Sequence, residues 1–237
     1  MTHTSNQKCE ENRVPNAVQI ALFTANPPKA DVVAQTCFPG ISISSSMMQN
    51  DVSNAQLEGE LERQVACSGG LGRIDFTWEP RNAPPAFNQD LIDLESINGD
   101  IMAIEHYAAK QAVDRVACIL RFRHHIANPE EGIEKVREAI KGLEIPTGAS
   151  EITFRTNVPA LLHGYMLNRI VVWQNAKVGF VKVAQSGPLQ QVMHDIMEHQ
   201  VDVNTVVENK LGEGEAGKAL NIVRAEAVRL LNSGFEK

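Results

Sequence analysis

The chain has 237 residues and a formal net charge of −7, with 43% hydrophobic, 5% aromatic and 22% charged residues. That is enough to bury a substantial core as one large domain or two small ones, and too apolar for a disordered polyelectrolyte. The acidic balance argues against a protein that coats nucleic acid or an anionic membrane, and no run approaches the ~18 apolar residues of a membrane span.

Residues 1–16 are polar and end at Val14-Pro15-Asn16, which predicts a flexible arm. They contain no apolar stretch of the kind a secretory signal needs, so the expected location is cytoplasmic. The four cysteines, Cys9, Cys37, Cys67 and Cys118, include no C-x-x-C pair and are read as reduced thiols, not as a zinc site or disulfide framework.

From Ala17 to Thr24, Val18, Ile20 and Leu22 alternate with Gln19, Ala21 and Phe23, the period of a strand, and Asn26-Pro27-Pro28 ends it. Ile41 and Ile43 alternate with serines as in an edge strand, whereas Ser44–Asn54 shows no period and reads as an exposed loop. Leu61–Cys67 and Arg73–Glu79 are strands joined by Ser68-Gly-Gly-Leu-Gly72; the second sets Ile74, Phe76 and Trp78 against Asp75 and Thr77. Pro80, Pro84 and Pro85 mark a candidate internal boundary near 80–88, followed by a short helical piece at Asp90–Ile97 and a helix from Gly99 to Ala112.

Val116–Phe122 is nearly continuous apolar sequence, as in an interior strand. Asn128-Pro129-Glu130-Glu131 supplies an N-cap, a proline at the first helical position and an acidic third residue, so a helix starts there with Ile133, Val136, Ile140 and Leu143 inward. Glu151–Thr156 is a strand, and Leu167–Trp173 with Val178–Ala184 reads as a hairpin around Gln174-Asn-Ala-Lys177. Leu189, Val192, Ile196, His199, Val203 and Val206 recur at helical spacing, and Ala216, Ala219, Leu220, Val223, Ala227 and Leu230 form a second stripe. The expected architecture is α+β: an arm over 1–16, a mostly antiparallel sheet domain with packed helices over 17–184, and a C-terminal helical hairpin over 185–237.

Leu211-Gly-Glu-Gly-Glu-Ala-Gly-Lys-Ala-Leu220 matches G-x-G-x-x-G and all but the last letter of a phosphate loop. Glu213 and Glu215 place negative charge where a polyphosphate would sit, Ala219 lacks the hydroxyl that binds magnesium, and the preceding segment reads as helix. The stretch is therefore read as an inter-helix turn. His194 and His199 stand five residues apart, about 140° round a helix, so they diverge. Asp195, His199 and Asp202, like His194 and Glu198, are read as ordinary pairs on a solvated helix face, and no metal or cofactor is expected.

Arg121-Phe-Arg-His-His125 closes the interior strand with cationic donors: Arg121, Arg123 and His125 on one face, Phe122 and His124 on the other. Arg155 and Arg169, each on its own strand, could join them, and Arg115–Lys182 holds ten Lys/Arg against six Asp/Glu inside an acidic chain. The candidate anion-binding set is thus Arg121, Arg123, His124, His125, Arg155 and Arg169. No nucleophile, base and orienting group assemble from the sequence, so no catalytic residue is assigned. The leading expectation is a non-enzymatic protein that binds a protein partner or its own copies. Two others stand beside it: a hydrolase or phosphate-handling enzyme using the arginines, His124, His125 and His163, and a nucleic-acid binder along an arginine-bearing sheet face.

Overall fold

The computed structural model describes residues 14–80, 91–140, 142–182, 190–208 and 210–233. Its frame is a ten-stranded sheet. In chain order the elements are β1 (Ala17–Phe23), α1 (Ala30–Cys37), β2 (Ile43–Gln49), β3 (Val52–Leu57), β4 (Glu62–Ser68), β5 (Arg73–Glu79) and α2 (Asn98–Ala108). There follow β6 (Arg115–His125), α3 (Pro129–Ala139), β7 (Thr153–Asn157), β8 (Ala160–Leu162), β9 (Tyr165–Lys182), β10 (Gln190–Thr205) and α4 (Glu215–Ser233). The strand order is β2-β3-β4-β5-β1-β6-β10-β9-β7, with β8 on β9, and every ladder is antiparallel.

The alternation in β1 and β5 decides which face is covered. Val18 lies opposite Trp78 and Leu120, and Ile20 opposite Phe76 and Cys118, so one face is continuously apolar across the central strands. All four helices pack on that face. α1 contributes Val33, Ala34 and Cys37, α2 Ile101 and Ile104, and α4 Ala219, Leu220, Val223 and Ala227, all buried. Asp100 ties α2 down, accepting from Trp78 Nε1 at 3.1 Å and pairing with Arg63 Nε at 3.2 Å. At the other end α3 seats Gly132 against Ile126 and Asn175. The expected mixed α+β architecture with a mostly antiparallel sheet is what forms, and no helix of the described residues is long and apolar enough to cross a membrane.

Several local expectations are corrected. Ser44–Asn54 is not a loop: β2 and β3 form a hairpin whose corner is Asn50, at φ 52°. The period is missing because β2 is exposed on nearly every residue, so no buried face imprints an alternation. The stretch Leu94–Ile97 is turn, held by Ser96 Oγ donating to the Asp93 carbonyl, and the helix begins at Asn98 and ends at Ala108. The hairpin around Gln174–Lys177 does not form: β9 runs straight through it. Asn175 looks like a turn residue, but its side chain is buried, accepts from Ile152 N–H at 2.6 Å and donates to the Ser150 carbonyl at 3.0 Å.

The largest correction is at the C-terminus. Gln190–Thr205 is a strand, paired with β9 on one side and β6 on the other, so α4 packs on the sheet without a helical partner before it. Val201, Val203 and Thr205 are β-branched residues at period two, and that pattern governs over the coincidental three-four spacing of the apolar positions. α4 itself forms as expected. α3 starts at the expected cap, where Asn128 Oδ1 accepts from Glu131 N–H at 2.9 Å, but it ends at Ala139 with an extended Ile140, so Ile140 and Leu143 of the expected inward stripe lie outside it. Of the arm, Val14–Asn16 is seated: Asn16 donates to the Arg123 carbonyl and accepts its N–H. Residues 1–13, and 81–90 with most of the candidate boundary, lie outside the described residues; the strands on either side of 81–90 belong to one sheet.

Cys37, Cys67 and Cys118 are buried free thiols, and burial pushes each up to about 12, so none is a ready nucleophile. Cys9 falls outside the described residues.

The glycine stretch follows a strand after all. Yet Gly212 N–H donates to Glu215 Oε2 at 2.7 Å, so the amide that would meet a phosphate is taken by the helix's own first-turn carboxylate. Gly217 serves packing instead. A Cβ there would lie 2.7 Å from the Glu105 carbonyl oxygen and 3.2 Å from Ala109 Cβ, so its absence lets α4 approach α2. Gly217→Ala is expected to lower stability by about 1–3 kcal/mol in denaturant melts, as overpacking does. Gly99→Ala, where a Cβ meets nothing within 4 Å, is expected to raise it by about 0.5 kcal/mol.

Candidate functional site: the helix-free face of the sheet

The second face of the sheet carries no described helix. The residues that alternate with the core positions are strongly polar, and the register brings them into three hydrogen-bonded rows. In the first, Arg73 Nε and Gln19 Nε2 both donate to Asp75 Oδ1 at 2.8 Å. Arg121 then donates to Gln19 Oε1 at 2.7 Å and to Gln200 Oε1 at 3.1 Å, which carries the row from β5 through β1 and β6 to β10. In the second, Arg123 donates to Glu198 Oε2 at 2.7 Å and Glu79 Oε1 at 3.4 Å, and Gln174 Nε2 donates to Glu198 Oε1 at 3.0 Å.

The third row runs from β6 to the far edge. Asn204 Oδ1 accepts from Arg115 and Asn168, Asn204 Nδ2 donates to Asp202 Oδ1, and Asn157 Nδ2 donates to Asn168 Oδ1. Phe23 lies among them, with the Arg115 guanidinium 4.6 Å and the Arg73 guanidinium 5.3 Å from its ring centroid. These long side chains lie flat along the sheet. They cover Ala21, Ala117, Ile119 and Ile170, which are buried although no described helix rests on them.

The electrostatics follow from this packing. Burial lowers the pKa of the Arg121 guanidinium from its ordinary value, with Glu198 acting in the opposite sense; the group remains a cation. Asp202 is held above the usual carboxylate range, chiefly because burial disfavours its charge, against the pull of Asn204, Arg73, Arg121 and Arg155. Glu198 keeps only 8% of its surface exposed and is satisfied by Arg123 and Gln174. Arg73 and Arg123 are thus paired with carboxylates in place, while Arg115 and Arg121 rest on amide and carbonyl oxygens.

The sequence-derived candidates divide between the two faces. Arg121, Arg123, His125 and Arg155 share the helix-free face; there the rings of His125 and His194 are 5.5 Å apart. His124 faces the helix side with Phe122, their ring centroids 4.2 Å apart. Arg169 also points to the helix side, pairing with the buried Glu226 of α4 at 3.1 Å, where Arg229 joins it. His199 is buried on that side, stacked on Trp173 at 4.0 Å. In a strand residues four apart share a side but stand about 13 Å from each other. Neither Asp195 and His199 nor His194 and Glu198 therefore pair as expected on a helix, and Asp202 takes the face opposite His199. Among the described residues no three of His, Cys, Asp and Glu gather closely enough to hold a metal ion.

Of the partners of the arginines, Asp75, Gln19 and Gln200 are not among the candidates that the sequence singles out, and Glu198 enters there only as a pair for His194 on a helix face. In β1 and β5 their signal is the polar half of the alternation; in β10 the helical spacing of the apolar positions hides it. Comparison with known proteins returns no family model, curated protein or solved structure similar to this chain.

Two acids on opposite faces give opposite signatures. The Glu226 carboxyl is held below the usual range, first by its hydrogen bond to Arg229 and then by Arg169. Its stabilising effect is present above the ordinary glutamate pKa and lost as pH falls through the depressed one. Asp202 is raised, so its ionisation weakens the fold as pH rises from the ordinary aspartate value through the raised one. Chemical denaturation across a pH series is therefore expected to show Glu226→Gln less stable and Asp202→Asn more stable than the parent near neutrality, both differences shrinking in acid.

Proposed function

We propose that this chain is a non-enzymatic binding protein whose working surface is the helix-free face of the sheet, and that the ligand is a polypeptide. The observation that supports this is the three-row side-chain lattice. Its guanidiniums and amides are already desolvated in part and fixed by neighbours, so a partner that meets them loses little further side-chain freedom on docking. Arginine-rich, charge-balanced surfaces with many oriented donors suit protein recognition. A nucleic acid would find its phosphates facing carboxylates interleaved with the arginines, which disfavours the nucleic-acid alternative. The enzyme alternative loses ground because β6 sends His124 and His125 to opposite faces.

Photo-crosslinking in the host cell tests this reading. A photoreactive residue at Thr77 or Arg155 on the helix-free face is expected to give one discrete polypeptide adduct, whether of a partner or a second copy. The same residue at Val32, exposed on α1, is expected to give none. A ladder of unspecific adducts from all three positions, or no adduct from the face, would contradict it.

A further inference from the structure

We infer that β2 is an edge at which two copies of this chain pair, extending the sheet across a two-fold axis. The two edges of the sheet are built differently. β7 carries the exposed Arg155 and is followed closely by Pro159, two of the usual means of keeping a sheet edge from pairing. β2 has neither: Ile43-Ser-Ser-Ser-Met-Met-Gln49 contains no charge and no proline, and Met47 and Met48 are 58% and 65% exposed. A bulge between Ile43 and Ser45 leaves Ser45–Gln49 as the regular stretch whose outer edge has no partner among the described strands.

The occupant is a second copy because this stretch complements itself. Antiparallel pairing about Met47 sets Met47 against Met47, Met48 against Ser46 and Gln49 against Ser45. Large side chains then meet small or flexible ones, and no like charges oppose within the strand. Parity is preserved, so the helix layers of the two copies lie on the same side and both helix-free faces remain open. Unlike charged segments, β2 offers an acidic or basic peptide nothing to read. Acidic residues flank it instead: Asp51 follows its corner, and Glu58, at the far end, donates its N–H to the Ser42 carbonyl. In the pair these corners approach across the axis, so screening favours association and the dimer tightens or holds as salt rises.

The edge is separate from the helix-free face, so this inference and the function proposed above fail independently. Sedimentation of the full chain over a concentration series is expected to resolve a species of twice the 26.0 kDa chain mass, undiminished at high ionic strength. Met47→Lys, and separately Ser46→Lys, place like charges beside the axis and are expected to raise the dimer dissociation constant about a hundredfold. Leu161→Lys, at an exposed site on β8, is expected to leave it unchanged, with melting curves confirming that all variants fold. A monomer at every concentration, dimers that persist in both β2 variants, or loss on Leu161→Lys would overturn the inference. Crosslinking from Thr77 would survive either result.

Discussion

The register of β10 between β6 and β9 is the constraint on which the rest of the molecule depends. Pairing Glu198 with Arg123 and Gln174, and Gln200 with Arg121, brings a carboxylate and an amide to the guanidiniums that close β6. A slip of one residue would turn Val201 and Val203 towards water and bury Gln200 and Asp202 under α4. The apolar half of β10 thus enforces the placement of its polar half. Core packing and the candidate site are two consequences of one alternation.

This explains how an arginine cluster exists on an acidic chain without forming a basic patch. Arg115, Arg121 and Arg123 have acceptors supplied by other strands, Arg73 has Asp75 on its own, and the strands are held in register by a core beneath them. The helices confine themselves to one side because the apolar residues do. Where arginine enters the helix side, it finds a carboxylate: Arg169 meets Glu226 under α4, and Arg63 meets Asp100 beside Trp78. Charges on the helix side fix helices to the sheet, whereas charges on the open side fix one another.

Much of this order is legible in the residues, and the failures have physical reasons. β1, β5 and β6 are buried on one face or nearly both, so their patterns are strong; α3 announces its start with a cap, and α4 its length with a single stripe. β2 leaves no pattern because almost nothing of it is buried. β10 misleads because a strand sixteen residues long holds enough apolar positions to satisfy helical spacing by chance. Asn175 imitates a turn residue while acting as a buried hydrogen-bonding hub. Arg121 and Arg123 stand out as candidates, but their partners come from strands distant in sequence, and only the tertiary register reveals that the cluster is internally neutralised.

Side-chain nuclear magnetic resonance of the arginine Nε–H groups reports whether the lattice is rigid before any partner arrives. Arg121 and Arg123 are expected to give resolved, slowly exchanging signals with restricted guanidinium rotation, distinct from that of the more exposed Arg155. Rapidly exchanging, rotationally averaged signals from Arg121 and Arg123 would mean that the face is an ordinary solvated surface and would contradict the account.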